Sequence, residues 1–247
     1  MSSPPPDGAG DGADEPTRWR RLRPMSRHVP HLYLPGPWES AELALSDGHR
    51  HHLSKVLRLV AGAPCSYTDG AGTIGTGTVA DGRLVRGEER QVEHPRPEVS
   101  VAVAPPRSRD RQRYVVEKLA ELGIDRLLWL DTRHGEGKAP PAGKAAAWAA
   151  GALEQSRGAW VMACEGPVSL QKLPETPTLW VAERESPPPR NVVDSGILVI
   201  GPESGFVEGE VPDRATRIGL GSRVLRVESA AVVGATILLD RAGRLHG

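Results

Sequence analysis

The residues best suited to hold a ligand lie in the last fifth of the chain, where two apolar strands each run into a glycine-bearing loop. The first loop reads Gly-Pro-Glu-Ser-Gly-Phe from Gly201 to Phe206 and follows the apolar run ILVI. The second reads LGSRVLRVESAA from Leu220 to Ala231 and leads into a helix. Turns of this kind expose backbone groups and let a flat ligand come close. Together the two loops predict a nucleoside pocket, and two ordinary strand–loop junctions are the alternative interpretation.

Three glycines earlier in the chain match a dinucleotide-binding pattern by spacing. Gly70, Gly72 and Gly75 fit G-x-G-x-x-G, and this match alone would favour a nicotinamide-dependent oxidoreductase. Such a site needs a preceding strand and a following helix, whose N-terminus holds the pyrophosphate. Here the stretch TGTVADGRLV follows, which is typical of a strand. We therefore expect a hairpin turn at these glycines.

Two further groups have reactive side chains in patterns that do not complete a site. His49, His51 and His52 suggest a metal, but adjacent histidines point to different sides of a helix, and no nearby acid or cysteine completes a ligand set. They are better interpreted as surface or RNA-facing histidines, and no metal is required. Ser204 follows Gly201 by three residues, so it does not form the Gly-x-Ser-x-Gly elbow of a hydrolase.

Composition indicates a globular protein that depends on neither disulfides nor a membrane. The 247 residues are 38% hydrophobic and 25% charged, and no apolar run is long enough to cross a bilayer. Cys65 and Cys164 lie far apart and have neither disulfide-framework nor metal-ligand spacing, which favours a reducing cytoplasm. Residues 1–24 are rich in Pro, Gly, Asp and Ser, and they predict a disordered tail without a signal-peptide pattern.

Charge is balanced over the whole chain but not locally. The formal net charge is zero, which argues against nucleic-acid binding by the surface as a whole. Arginines concentrate at 18–27 and at 107–113, and in the second run only Asp110 carries a negative charge. Phosphate contacts need local positive charge, so each run is a candidate RNA contact. A solvated surface is the equal alternative.

The chain divides at the stretch HPRPE, residues 94–98. We expect 25–94 to form one domain, in which turn signals between short apolar stretches predict a small antiparallel barrel. One helix should interrupt this domain over HRHHLSKVLRLVAG. The apolar residues at helical spacing in it are Leu53, Val56, Leu57 and Val60.

Residues 98–247 should form a second, α/β domain. Strand-like and helix-like segments alternate there, and this order predicts a parallel sheet with helices on both faces. Gly123 stands where the C-cap of the helix RDRQRYVVEKLAELG belongs, and a long helix over RVESAAVVGATILLDRAG closes the domain. The first of these helices should present one apolar face, formed by Tyr114, Val115, Leu119 and Leu122.

Five motifs in order resemble the SPOUT-class RNA methyltransferases, and among them most of all the RsmE family, which methylates uridine N3 in small-subunit (16S) ribosomal RNA. GPESGFVEGEV and LGSRVLRVESAA are similar to the two closing motifs of that family. HHLSKVLRLVAG, EKLAELGIDRLLWLDTRH and ALEQSRG are similar to three earlier motifs. The resemblance covers roughly 28–239. In three departures, Ser204 replaces a usual glycine, Ser229 a usual threonine, and Ala120 a common threonine.

The resemblance implies a PUA-like barrel followed by a domain with a C-terminal trefoil knot. It also implies S-adenosyl-L-methionine as the cofactor, bound by Ile200, Gly201, Glu203, Gly205, Leu220, Gly221, Val224 and Leu225. Arg226 would stabilise a uracil anion, and Glu203 or Glu228 would act as a base or an orienting group. The implied RNA contacts are Arg50, His52, Lys55, Arg58 and Arg113. The implied partners are ribosomal RNA or the small ribosomal subunit, and a second copy of the chain that forms a homodimer through the C-terminal domain.

Two alternatives remain within this resemblance. An RNA-binding module with weak or lost catalysis is one, because Ser204 adds a Cβ where the backbone of a glycine would be freer. A SPOUT enzyme acting on a ribose 2′-oxygen or on transfer RNA is the other. The N-terminal His-His-Leu segment favours the ribosomal interpretation over the second alternative.

Overall fold

A computed structural model of the protein describes residues 29–175, 177–189 and 194–245. The expected disordered tail, 1–24, and the first arginine run, 18–27, lie outside the described residues. Two β-sheets organise the described chain. None of the described helices is both long and apolar enough to cross a membrane.

The N-terminal sheet contains five strands. They are β1 (His31–Tyr33), β2 (Glu42–Ala44), β3 (Ala63–Thr68), β4 (Thr73–Ala80) and β5 (Arg83–Gln91). Their order across the sheet is β1-β3-β4-β5-β2, and all neighbours are antiparallel except the parallel pair β1 and β3. Tyr67 and Leu84 lie fully buried in its core. Among the described strands β1 and β2 do not pair, so the sheet is an open half-barrel and the expected closure is not seen.

The first two glycines of the G-x-G-x-x-G pattern lie in the turn of the β3–β4 hairpin and Gly75 lies in β4, which confirms the predicted hairpin. Gly70 and Gly72 adopt positive φ angles of 72° and 103°, which favour glycine. The Asp69 carboxylate accepts hydrogen bonds across the turn from the backbone N–H groups of Ala71 (2.7 Å) and Thr73 (2.9 Å). Because a strand follows this turn, it offers no helix N-terminus to a dinucleotide, and the oxidoreductase interpretation loses its only support.

The helix expected between β2 and β3 is shorter than its apolar pattern suggests. It consists of α1 (Asp47–His51) and a π-helical turn (His52–Val56), and the Ser46 hydroxyl accepts a hydrogen bond from the His49 N–H at the start. Of the four apolar residues predicted to share a face, only Leu53 is buried, and Val56 and Val60 are 60% and 75% exposed. The chain leaves the helix at Arg58, which has a φ of 52°, so the later residues lie outside its buried side.

The C-terminal sheet contains six parallel strands, as the alternation of segments predicts. They are β6 (Val99–Val103), β7 (Arg126–Leu130), β8 (Ala163–Val168), β9 (Thr178–Ala182), β10 (Gly196–Ile200) and β11 (Thr216–Ile218). Their order is β11-β9-β10-β6-β7-β8. The apolar runs of β6 and β10 are buried on both faces, which is typical of central parallel strands.

Three helices cover one face of this sheet and no helix of comparable length covers the other in the described chain. The helices are α2 (Arg109–Glu121), α3 (Ala142–Ser156) and α4 (Val227–Arg241). The opposite face is covered by a 3₁₀ turn (Leu170–Lys172) and by apolar side chains of the 206–215 loop, including Phe206 and Val211. The expectation of helices on both faces is therefore wrong, because the 3₁₀ turn and this loop together supply the apolar surface that covers this face.

Helix α2 agrees with its predicted end but only partly with its predicted face. Gly123 has a φ of 78° directly after the C-cap, so the predicted glycine stop is confirmed. Val115 and Leu119 are fully buried, whereas Tyr114 is 44% exposed. The assignment of Tyr114 to the buried face is wrong, since it lies one position beside the buried stripe and turns its ring to the outer side.

The two sheets are joined where the HHLSKVLR and ALEQSRG motifs meet, a contact called the seam below. The Glu154 carboxylate, near the end of α3, accepts a hydrogen bond from the Tyr33 N–H (2.8 Å) and pairs with His49 Nε2 (2.9 Å). Arg157, with a φ of 60°, donates a hydrogen bond to the Val29 carbonyl. Two of the motifs that carry the family resemblance therefore meet at a domain junction.

A single carboxylate ties the linker to the C-terminal sheet. Asp125 accepts hydrogen bonds from the Val99 N–H (2.6 Å) and from the Arg244 guanidinium (2.5 Å), and it lies 3.4 Å from His94 Nε2. Arg244 and Asp125 are almost completely buried as a pair. The linker, the start of β6 and the segment after α4 thus share one anchor.

Candidate functional site

Because all strands of the C-terminal sheet are parallel, the loops that follow them meet along one edge, called the carboxyl edge. In order across the sheet these loops are 219–226, 183–187, 201–206, 104–108 and 131–138, after β11, β9, β10, β6 and β7. Ligands of open parallel sheets bind at this edge. Both glycine-bearing loops singled out in the sequence lie on it, on either side of the loop that follows β9.

A groove with a volume of about 200 Å³ lies at the β11 end of the carboxyl edge. Its lining, which defines the β9–β11 groove, consists of Ala182, Glu183, Arg184, Leu220, Gly221, Arg223, Val224, Leu225 and Ala230. Four of the residues expected to bind the cofactor are brought together here: Leu220, Gly221, Val224 and Leu225. Sequence reasoning missed the β9 side, where the only signal is that AERES directly follows a buried strand.

The first glycine loop lies beside this groove without lining it. Ile200 is buried at the end of β10, and the Gly205 N–H donates to the Pro202 carbonyl (2.9 Å) to close a turn. Glu203 and Ser204 are exposed on that turn. Ser204 is not among the described residues with positive φ, so its Cβ costs no backbone strain.

Gly201 and Gly205 each require glycine in that loop, for different structural reasons. A Cβ on Gly201 would lie 2.8 Å from the Phe206 ring, so the absence of a side chain lets the ring fold back on the strand end. Gly205 has a φ of 75°, which favours glycine. The loop is thus shaped by its own packing, and the structure does not bring Gly201, Glu203 or Gly205 into the groove lining.

The second glycine loop is held firmly against the loop after β9. The Gly219 N–H donates to the Pro187 carbonyl (2.8 Å), and a Cβ on Gly219 would lie only 2.0 Å from the Ser186 carbonyl oxygen. Gly221, at a φ of 125°, has no atom within 4 Å of the position that a Cβ would take. One glycine therefore permits close packing, and the next leaves open backbone facing the groove.

These features fit the adenosine part of S-adenosylmethionine, the cofactor that the resemblance implies. Pockets for small ligands are mostly apolar, with a few polar groups that fix orientation. Leu220, Val224 and Leu225 supply apolar surface, and the open backbone at Gly221 lets a flat ring approach. Glu183 is also fixed, because Arg217 Nη1 holds its carboxylate at 2.7 Å.

Arg226 directly follows Leu225, a residue of the groove lining, and this neighbour places it at the rim of the groove. It is the N-cap residue of α4, it is exposed, and its side chain makes no hydrogen bond or ion pair with another described residue. Glu228 lies mostly buried two residues on, and its Oε1 is 3.5 Å from Arg111 Nε. Its Oε2 is buried without a hydrogen-bond partner among the described residues. Glu228 is therefore paired with α2, and Arg226 is left available for a ligand.

The five residues expected to contact RNA do not form one surface. Arg50 pairs with Asp47 and donates to the Leu45 carbonyl at 2.8 Å, and Arg113 lies on α2, paired with Glu117 at 2.7 Å. The remaining three lie on the N-terminal domain, where Lys55 and Arg58 are exposed and His52 borders the cleft at the seam. Two of the five charges are thus already paired within the protein.

The seam borders a wide cleft between the two domains, with a volume of about 960 Å³. His49, His52, Glu154 and Arg157 line it together with apolar groups. Nearby, burial lowers the pKa of His31 below its usual value of 6.5, because desolvation disfavours the charged ring. The ring Nδ1 lies 2.8 Å from the Ser66 hydroxyl. The histidine-rich segment thus serves the domain junction, which its sequence pattern did not indicate.

Neither cysteine has the properties of a nucleophile. Burial raises the pKa of the Cys65 thiol to about 11 and that of Cys164 to about 12. Both thiols therefore stay protonated near neutral pH, and a reactive cysteine needs a depressed pKa. Cys65 lies in the N-terminal core and Cys164 on β8, both away from the β9–β11 groove.

The chain is similar to proteins that act on RNA. The family model described as RNA methyltransferase domain matches residues 92–239, more than half of the chain. No curated protein sequence matches.

Solved structures share the fold along nearly their full length. A probable rRNA-methyltransferase from Porphyromonas gingivalis is 24% identical with a TM-score of 0.77, covering 87% of this chain and 99% of its own. The ribosomal RNA small subunit methyltransferase E of Neisseria gonorrhoeae, solved with S-adenosyl methionine, is 21% identical with a TM-score of 0.74, covering 86% and 98%. A Legionella pneumophila protein solved with the bound cofactor SAM is 23% identical with a TM-score of 0.75, covering 86% and 97%.

Proposed function

Because this chain belongs to the RNA methyltransferase domain family, we propose that it methylates N3 of a uridine in small-subunit (16S) ribosomal RNA, with S-adenosylmethionine as the methyl donor. The observation that carries the proposal is the β9–β11 groove with the unpaired Arg226 at its rim. Support also comes from the Neisseria and Legionella structures, which share this fold and contain the cofactor.

The cofactor would lie in the β9–β11 groove between the loops after β9 and β11. When bound, it supplies a methyl group on a sulfonium. Leu220 and Leu225 would pack on the adenine, and backbone at Gly221 and Val224 would border it. The proposed site also has a wall formed by the end of β10 and the turn after it, one strand away. This wall would complete the pocket if the 201–206 turn moves toward the ligand, and its residues are Ile200, Gly201, Glu203 and Gly205.

Arg226 would act on the uracil. Removal of the N3 proton leaves negative charge on the ring, and a guanidinium held beside it stabilises that charge most where water is excluded. No existing ion pair of Arg226 has to be broken first, since its side chain has no partner among the described residues. Most of the rate would come from holding the base in line with the methyl group.

The two acidic candidates receive different roles. Glu203 is exposed on the turn after β10, where it would orient the base or accept its proton. Glu228 is paired with Arg111 at the first turn of α4, so we assign it to the helix start, where negative charge is favourable.

The wider architecture belongs to the same proposal. We assign 1–24 to a disordered tail, 25–94 to a PUA-like RNA-binding domain and 98–247 to a SPOUT domain with a trefoil knot. The division is supported by the two separate sheets, and the knot is proposed from the family resemblance.

We also propose a homodimer formed through α4. Ala231, Ala235 and Leu238 are buried on the sheet, while Val232 and Ile237 stay partly exposed on another side of the helix. An apolar stripe wider than one covered face is typical of a helix with a second partner. Sedimentation at micromolar concentration should give a dimer, and a monomer would contradict this part of the proposal.

The decisive test uses small ribosomal subunits from a strain that lacks this protein. Purified protein and labelled S-adenosylmethionine should transfer one methyl group per subunit, and nucleoside mass spectrometry should identify N3-methyluridine. A different methylated nucleoside would contradict the specificity. RNA binding without transfer would instead support the module with lost catalysis.

A further inference from the structure

The second arginine run, at the start of α2, is less uniform than its sequence suggests. Arg107 pairs with Glu136 (2.9 Å), Arg111 with Glu228 (3.5 Å) and Arg113 with Glu117 (2.7 Å). Arg109, between them, is exposed and makes no side-chain hydrogen bond or ion pair within the described chain. Three charges of the run are therefore balanced inside the protein, and one faces solvent alone.

A second free arginine lies on the neighbouring loop of the carboxyl edge. Arg133 follows β7, the strand beside β6, and its exposed side chain likewise makes no hydrogen bond or ion pair with a described residue. Adjacent strands of a sheet lie about 4.8 Å apart, so the loops after β6 and β7 emerge side by side. Arg109 and Arg133 thus stand on adjoining supports, at the opposite side of the β10 loop from the β9–β11 groove.

The two supporting loops are joined to each other by buried contacts. Gln112, buried on α2, donates to the Pro106 carbonyl (2.6 Å) on one loop and to the Lys138 carbonyl (2.9 Å) on the other. Gly137 lies so close that a Cβ would come within 1.9 Å of the Pro105 carbonyl oxygen. The loops therefore behave as one rigid piece.

Glu210 fixes the backbone that carries Arg133. Its side chain is buried, with 4% of the residue exposed. One carboxylate oxygen accepts from the Arg133 N–H (2.9 Å) and the other from the Val207 N–H (3.0 Å). Ser204 adds a second link, since its hydroxyl donates to the His134 carbonyl at 3.4 Å. The Arg133 loop is therefore tied to the loop that follows β10.

We propose that Arg109 and Arg133 bind backbone phosphates of the RNA next to the target nucleotide, and that Glu210 is a positioning residue for Arg133. This inference rests on the proposed function, and it assigns the RNA backbone to the β6–β7 end of the carboxyl edge. Free guanidinium groups on a rigid support suit phosphate, which they can bind through two parallel hydrogen bonds.

The composition favours phosphate contacts over base stacking here. Aromatic residues make up only 4% of the chain, so few side chains are available for stacking. With a formal net charge of zero, the protein gains little attraction to RNA from its surface as a whole, and local unpaired cations must supply it. An acidic protein partner is the competing occupant of this surface.

The first experiment measures binding of naked small-subunit ribosomal RNA over a salt series. Arg109→Gln and Arg133→Gln should each weaken binding and reduce the slope of log K against log salt by about 0.7–0.9, the value for one lost phosphate contact. Arg107→Gln is the matched control from the same arginine run, because it removes a charge that Glu136 already balances. Its slope should equal that of the unmodified protein.

Two results would overturn the proposal. One is an unchanged slope in the Arg109→Gln/Arg133→Gln double variant, which would leave an acidic protein as the occupant. The other is an equal loss in the Arg107→Gln control, which would reduce the effect to general charge. Because binding is measured without turnover, a failure of methyl transfer by the unmodified protein would count against the proposed function alone.

The role of Glu210 is tested by a double-mutant cycle. Glu210→Gln replaces one acceptor oxygen by an NH₂ group, which cannot accept from the backbone and should release the Arg133 loop. It should weaken RNA binding in the parent protein but add nothing in the Arg133→Gln background. Equal losses in both backgrounds would show a merely structural role, and Glu210→Asp provides the same comparison if the glutamine variant does not fold.

Discussion

At the β11 end of the carboxyl edge, apolar side chains and glycine backbone line a groove, whereas at the β6–β7 end the loops carry free arginines on tightly joined backbone. The groove depends on the absence of side chains at two glycines, because Gly219 allows close packing of the loops and Gly221 leaves open space. The β6–β7 end depends on unpaired guanidinium groups, because Arg109 and Arg133 make no ion pair within the described chain and can bind a ligand. A small flat cofactor and a long charged polymer would thus bind at opposite ends, with the reacting base between them.

The largest expected effect is a loss of turnover on substitution of Arg226, a residue that should contribute little to cofactor binding in the groove. Arg226→Ala should lower turnover by about a hundredfold or more, the loss typical of one electrostatic donor in a transition state. Cofactor affinity should change far less, since a cation gains little beside a sulfonium. Arg226→Lys should restore only part of the turnover, because a point charge does not replace a planar fork.

Single-turnover rates, cofactor affinity and thermal stability should be measured on the same preparation of each variant. Arg226 has no partner among the described residues, so stability should be unchanged. If stability and cofactor affinity fall together while single-turnover rates at saturating cofactor hold, Arg226 is structural and its catalytic role is wrong.

A substitution at Gly219 should disrupt the β9–β11 groove and leave the β6–β7 end of the carboxyl edge unchanged. Gly219→Ala forces a Cβ against the Ser186 carbonyl, and overpacking of this kind costs about 1–3 kcal/mol in the free energy of unfolding. Cofactor affinity should fall because loops 183–187 and 219–226 separate, and RNA binding should be retained. Gly143→Ala is the control, since its Cβ would meet nothing within 4 Å.

Equal loss of cofactor and RNA binding in Gly219→Ala would contradict the division of the edge into two ends. Calorimetry with S-adenosylmethionine and filter binding with ribosomal RNA give the two affinities independently.

Lowering the pH should destabilise the seam between the domains and should leave both ends of the carboxyl edge unaffected. The pKa of His31 is lowered in the folded protein by burial, so the unfolded chain binds its proton first as the pH falls. Stability from the neutral ring is therefore complete above about pH 6.5 and is lost as the pH falls from there toward the lower folded pKa. Thermal melts between pH 7.5 and 5.5 should show this decrease, and His31→Gln should flatten it. An unchanged slope in that variant would assign the acid sensitivity elsewhere.

The smallest effect is expected for the N-terminal tail. Removal of residues 1–14 should leave methyl transfer and both affinities unchanged, because this segment has few apolar side chains with which to dock. A large loss of transfer would show that the RNA-binding surface extends into the tail.

Sequence reasoning succeeded where the signal was local. The strand, glycine and helix sequence around Leu220 to Arg226 predicted the β11 side of the groove, and Gly123 correctly predicted the end of α2. The hairpin at Gly70 was also confirmed, because a strand-like segment follows it directly.

It failed where distant parts of the chain decide the outcome. Glu183 entered the groove only because β9 lies between β10 and β11, an order that the loop AERES does not encode. Glu154 reads as part of a family motif, yet its partner His49 is over a hundred positions away in the other domain. Glu210 has no local signal at all, since its role depends on the backbone of Arg133.

The shared anchor at Asp125 has an evolutionary consequence. Its buried carboxylate is balanced by Arg244 and approached by His94, so loss of Arg244 leaves a buried charge without its counter-ion. Substitution of Asp125 would in turn leave Arg244 buried and unpaired. These three positions cannot drift independently, and related sequences should change them as a set or keep them together, although they lie in three separate stretches of the chain.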